Sequence, residues 1–144
     1  MFEHPYTLGV RVAAPVSSTR VVVETALRAE GFGILTEIDM SATLRAKLGV
    51  EMAPYLILGA CNPPLAHRAV MAEPSIGALL PCNVVIREDG GGTVVEAMDP
   101  GAALGLVHGA AAEEVAGVAA DARARLVRAL QAIADASGGE TVTA

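Results

Sequence analysis

"CNVVIREDGGGTVVEAM", Cys82 to Met98, carries the clearest structural statement in the chain. Cys82 to Arg87 and Thr93 to Met98 each read as a strand rich in β-branched residues. Between them lies Asp89-Gly90-Gly91-Gly92, whose glycines accept the positive φ values of a tight hairpin. A hairpin makes these two strands antiparallel neighbours. An earlier apolar run, Tyr55 to Ala60, reads as a third strand of the same sheet, apolar on both faces as a central strand is. If the meander continues, this strand runs antiparallel to Cys82–Arg87, and Cys61 at its end comes beside Cys82. A parallel arrangement would hold the two about 17 Å apart for a five-residue strand. The hairpin favours the antiparallel reading.

Working outward, Tyr6 to Ala13 reads as a strand with Leu8, Val10 and Val12 on one face. Thr19 to Glu30 reads as a helix despite Val21-Val22-Val23. Ser17 and Ser18 offer a cap at its start and Gly31 a stop at its end, and Val22, Val23, Ala26 and Leu27 fall at helical spacing. Phe32 to Asp39 is a strand. Ser41 is expected to cap a short helix to Leu48, closed by Gly49. Leu65 to Ala72 is a further short helix, and Ala102 to Ala110 has no clear pattern. Ala111 to Ala136 is a long helix, with Val115, Val118, Ala122, Leu126, Leu130 and Ile133 on one stripe and an Asp121–Arg125 pair on its exposed side. These elements predict an α+β fold: a mainly antiparallel sheet of about five strands, helices packed on one face, and a long C-terminal helix. Residues 1–136 form a single domain, and 137–144 a frayed tail.

The chain has 144 residues, 53% of them hydrophobic and 18% charged, with a net charge of -6. Its mean hydropathy is +0.49 and its pI about 4.9. That is a folded chain with an aliphatic core, not a disordered one. Ten basic residues against sixteen acidic ones make no basic groove, so nucleic acid and anionic membranes are not expected partners. The N-terminus has no signal-peptide pattern, and no run approaches the roughly 18 apolar residues of a membrane span. A cytoplasmic protein with reduced thiols is the expected setting.

Both cysteines precede an asparagine, and each Cys-Asn pair is flanked by proline: Cys61-Asn62-Pro63-Pro64 and Pro81-Cys82-Asn83. Pro64 is expected to hold Pro63 extended, so that the helix starts at Pro64. Two prolines remove two amide donors from this helix start, which argues against a phosphate cradle or an oxyanion site. Four readings stay open for Cys61 and Cys82: buried structural residues, a redox or sulfur-handling thiol pair, metal ligands together with His67, or the lining of a small-molecule pocket. They are the only catalytic candidates. Asn62, Asn83, His67 and Asp39 are the binding candidates, although Asp39 and Asp99 also suit turn or cap carboxylates. His4 and His108 read as solvated. No GxSxG, P-loop, GxGxxG or HExxH pattern occurs, so the reading leans away from an enzyme and names no cofactor.

"GFGILTEIDMSATLRAKLG" (Gly31–Gly49), "ILGACNPPLAHRAVMAEPSIGALLPCNVVIRE" (Ile57–Glu88) and Asp99-Pro100 resemble the domain of unknown function 302 family. The likeness runs from about Tyr6 to the last helix. It implies an α+β fold similar to the TATA-binding-protein-like arrangement, often a homodimer, and no established activity. A second branch of that family looks similar at the Asn-Pro, Leu-Pro and Asp-Pro steps but lacks both cysteines. By that resemblance Asn62-Pro63, Leu80-Pro81 and Asp99-Pro100 are framework, and Cys61 and Cys82 an addition. The glycine- and alanine-rich stretch after Pro100 departs from the family pattern.

Overall fold

The computed structural model of the chain describes residues 1–136; the expected tail, 137–144, lies outside the described residues. Six strands form one sheet: β1 (Phe2–His4), β2 (Thr7–Val12), β3 (Gly33–Asp39), β4 (Tyr55–Cys61), β5 (Cys82–Asp89) and β6 (Gly92–Met98). Their spatial order is β1-β2-β6-β5-β4-β3, and every neighbouring pair is antiparallel. The helices are α1 (Val16–Ala29), α2 (Met40–Leu48), α3 (Pro63–Ala72), α4 (Pro100–Leu104) and α5 (Ala112–Ala136). Short 3-10 turns occupy Pro74–Leu79 and Gly109–Ala111, and the Leu80–Pro81 peptide is cis.

The hairpin closes as its glycines require. Asp89 pairs with Gly92, and Gly90 and Gly91 take φ values of 57° and 83°. The sixth strand was not expected from the sequence. β1 is only three residues long, too short to show a period, and it is held by register: Phe2 stands opposite Gly9 and its ring covers that glycine, where a side chain could not fit.

Period-two burial builds the core. Leu8, Val10, Leu58, Ala60, Val84, Ile86, Val95 and Ala97 point to one face. Against them pack Val23, Ala26 and Leu27 of α1 and Leu126, Ala129, Leu130 and Ile133 of α5. A fully buried leucine such as Leu126 contributes about 2 kcal/mol to this face. The whole expected stripe of α5 is buried, and Arg125 Nε donates to Asp121 at 2.7 Å. A second, smaller cluster joins α3, α4 and α5 through Leu65, Ala69, Leu104, Val115, Val118 and Ala122. In it α3 and α4 pack on α5.

Three local expectations are corrected. α1 begins at Val16 and has no side-chain cap from Ser17 or Ser18; Ser18 Oγ donates to the Pro15 carbonyl instead. α2 is capped by Asp39, not Ser41: Asp39 Oδ1 accepts from the Ala42 amide and from the Ser41 hydroxyl. α3 begins at Pro63, not Pro64, with Asn62 as its cap. Both prolines fit the first turn, where no amide is needed, and the cap bond offsets the pre-proline preference for extended backbone.

Candidate functional site

The antiparallel β4–β5 ladder gathers both cysteine-bearing strand tips at one end of the sheet. The last rung pairs Ala60 with Cys82, and Cys61 follows one residue later, opposite Gly33 of β3. Opposed residues share a face and successive ones alternate, so the pleat assigns Cys61 and Cys82 to different faces at this rung. The expected cysteine pair is therefore corrected: both cysteines are free, Cys82 buried and Cys61 half-buried.

Asn62 is buried, and each end of its amide makes a hydrogen bond. Oδ1 accepts from the Leu65 amide at 3.3 Å, capping α3. Nδ2 donates to the Glu30 carbonyl at 3.4 Å, just past the end of α1. Arg125 Nη1 donates to the same carbonyl at 3.2 Å. One side chain thus ties the start of α3 to the end of α1, with α5 bracing the joint. The turn passes through Gly31, whose φ is 87° and whose missing Cβ leaves room for Asn62 Nδ2.

These tips and the second cluster line a half-open cavity of about 280 Å³. Its walls come from β3 and the residue before it (Phe32, Leu35), the β4 tip (Ala60, Cys61, Asn62) and α3 (Leu65, Ala66, Ala69). The approach to β5 (Leu80, Pro81, Cys82), α4 (Leu104) and α5 (Val118, Ala122) complete them. The lining is apolar apart from Asn62 and the thiols. Leu35 stands 64% exposed at its rim, in a bulge where the β3–β4 register shifts between Ile34 and Thr36.

Burial, with a smaller contribution from the nearby Cys61, pushes the Cys82 thiol up to about 11. At neutral pH it is a protonated thiol, a poor nucleophile. α3 offers no help to an anion here: Pro63 and Pro64 have no amide hydrogen, and the Leu65 amide is held by Asn62.

The other sequence-derived candidates lie elsewhere. Asn83 is exposed, opposite Gly59 on the other face from Cys82, and does not line the cavity. His67 is exposed on α3, also outside it. Asp39 caps α2 at the far end of β3, where the Ala42 amide and the Ser41 hydroxyl hold its carboxyl below the usual range. It borders a separate, more polar hollow with Ser17, Tyr55 and Glu88. Of the metal candidates Cys61, Cys82 and His67, the two cysteines border the cavity and His67 does not. Among the described residues no group of three or more His, Cys, Asp or Glu side chains could hold a metal ion. Sequence reasoning missed Phe32, Leu65, Leu104, Val118 and Ala122 as cavity walls, because aliphatic residues from distant elements carry no shared pattern. Among the described residues no helix is long and apolar enough to cross a membrane.

A profile of the family described as "Domain of unknown function DUF302" matches residues 8–133. The chain is similar to a solved structure described as an uncharacterized conserved protein DUF302 from Bacillus stearothermophilus. The TM-score is 0.80 at 28% identity, over 88% of this chain and 97% of that one. No curated protein matches.

Proposed function

This chain belongs to the DUF302 family, and we propose that it binds a small apolar molecule at the Cys61, Asn62, Cys82 end of its sheet, without chemistry. The observation that carries this reading is the cavity of about 280 Å³, walled by aliphatic side chains from six elements and the segments that join them. Well-formed apolar cavities are the usual seats of small ligands. An engineered cavity of about 150 Å³ already takes up benzene. The thiol-redox reading has less support, since Cys82 is held protonated and the two cysteines are unpaired.

Thermal unfolding with and without benzene tests the proposal. Binding to the folded state alone raises the midpoint, by about 2.7 kcal/mol of stability at a hundred times Kd. Ala122→Leu and Ala66→Leu, which fill the cavity from its depth and its rim, should each abolish the shift. An unchanged midpoint in the parent protein, or a shift that survives both variants, refutes it.

A second reading, a homodimer, is favoured by the outer face of the sheet. Ile38, Ile57 and Val85 stand side by side across β3, β4 and β5. The charges on that face are satisfied within the chain, Arg87 by Glu96 at 3.0 Å and Arg11 by Asp89. A protein of net charge -6 would meet a second copy with least repulsion there. The free β3 edge is a poorer choice. Its bulge interrupts the ladder, and two-fold pairing centred on Glu37 or Ile38 would set acidic side chains opposite one another.

A further inference from the structure

We infer that the molecule taken up by this cavity is electrically neutral and has about ten heavy atoms, judged against benzene in a cavity of about 150 Å³. The inference rests on the cavity reading above and deepens it. Polar satisfaction carries it. A ligand charge or hydrogen-bonding group inside the cavity needs a partner there, because water is displaced and an unmatched polar group keeps the full cost of losing it.

The walls offer no charged partner. Asn62 is the one amide side chain among them; one of its N–H groups serves the Glu30 carbonyl and its oxygen serves the Leu65 amide, and it carries no charge. The helix start that could have presented amide hydrogens carries Pro63 and Pro64 in its first two positions. No lining residue bears a charge or a hydroxyl. The guanidiniums around this end of the molecule are committed: Arg125 to Asp121 at 2.7 Å and to the Glu30 carbonyl, Arg68 to Glu114 at 2.9 Å. Drawing one of them inward would break its existing bonds. The thiols are soft, weakly polar groups compatible with an aromatic or aliphatic guest.

Fatty acids, phosphorylated metabolites and amines held by their head groups are thereby excluded from the cavity. Neutral hydrocarbons, small aromatics and thioethers remain.

A matched series tests this: ethylbenzene, 3-phenylpropionate and 2-phenylethylammonium at pH 7. Each is titrated by ligand-observed NMR against the full chain and against Ala122→Leu and Ala66→Leu. Ethylbenzene is expected to bind the parent protein, to lose binding in both variants, and to bind at least tenfold more tightly than either ion. An ion that binds within tenfold of ethylbenzene, and is lost in the same variants, overturns neutrality while leaving the cavity reading intact. Failure of all three to bind overturns both. Circular dichroism of each variant confirms that a loss of binding is not a loss of fold.

Discussion

Cys82 faces Ala60 across the β4–β5 ladder, and Cys61 stands one residue past that rung. This single-residue offset separates the thiols by face while leaving both on the border of one cavity. It gives the two cysteines different chemistry, and the first predictions concern that difference.

Alkylation should distinguish them. Cys61 is half-buried; Cys82 is buried and protonated. At pH 8 a thiol with a pKa near 11 is about one part in a thousand thiolate, the only reactive form. Iodoacetamide on the native protein, read by peptide mass spectrometry, should modify Cys61 well before Cys82. Equal rates would show that the tip of β5 is open.

The stability of the fold should depend on pH through Cys82. Its thiol is raised from about 9 to about 11 on folding, so the folded state holds the proton more tightly. The contribution is fully present below about pH 9 and is lost as pH rises through about 11. The loss is roughly 3 kcal/mol at about 1.4 kcal/mol per unit. Urea unfolding of the parent and of Cys82→Ala between pH 7 and 11 measures it. The difference between the two proteins should be flat to pH 9 and then shrink; a constant difference contradicts the assigned burial.

The Asn62 joint should be costly to break and selective in how it breaks. Asn62→Ala removes the cap of α3 and the tether to Glu30, at about 1 to 2 kcal/mol or more. Asn62→Asp keeps an acceptor for the Leu65 amide but loses the donor to the Glu30 carbonyl, so it should fall between Asn62→Ala and the parent. Gly31→Ala should cost over 1 kcal/mol, because its φ is 87° and its new Cβ would lie 2.8 Å from Asn62 Nδ2. Chemical denaturation of the three variants checks the order.

The outer sheet face should govern association. Ile57→Lys places a charge in the middle of the Ile38–Ile57–Val85 row, away from the core. Sedimentation equilibrium at micromolar concentration should show a parent dimer and a monomeric variant that keeps the parent's circular dichroism spectrum and whose thermal midpoint no longer depends on concentration. A monomeric parent removes the dimer reading.

Much of the fold was legible because local signals agreed. The glycines after Asp89 forced a hairpin, and period-two runs at Leu8–Val12 and Val84–Ile86 marked one inward face. The stripe from Val115 to Ile133 marked a helix that had to lie on it. The site was legible only by location. Asn62 drew notice as a ligand residue, yet Asn-Pro-Pro-Leu is also a cap followed by two first-turn prolines, and the structure uses it that way. Asn83 is adjacent to Cys82 in sequence, but adjacent residues on a strand look in opposite directions. A pocket beside Cys61 and Cys82 was one open reading, but most of its walls could not be read. Those walls are mostly alanines and leucines contributed from Phe32 to Ala122, and their meeting depends on how α3 and α4 pack on α5.

The central claim is that a neutral guest seats among those walls, and methyl-resolved NMR tests it most directly. With ethylbenzene added to protein labelled at leucine and valine methyls, the account predicts shifts concentrated at Leu65, Leu80, Leu104 and Val118. Val10, Val85 and Leu130 should stay still. Shifts spread over the outer face of the sheet, or no shifts at all, would contradict it.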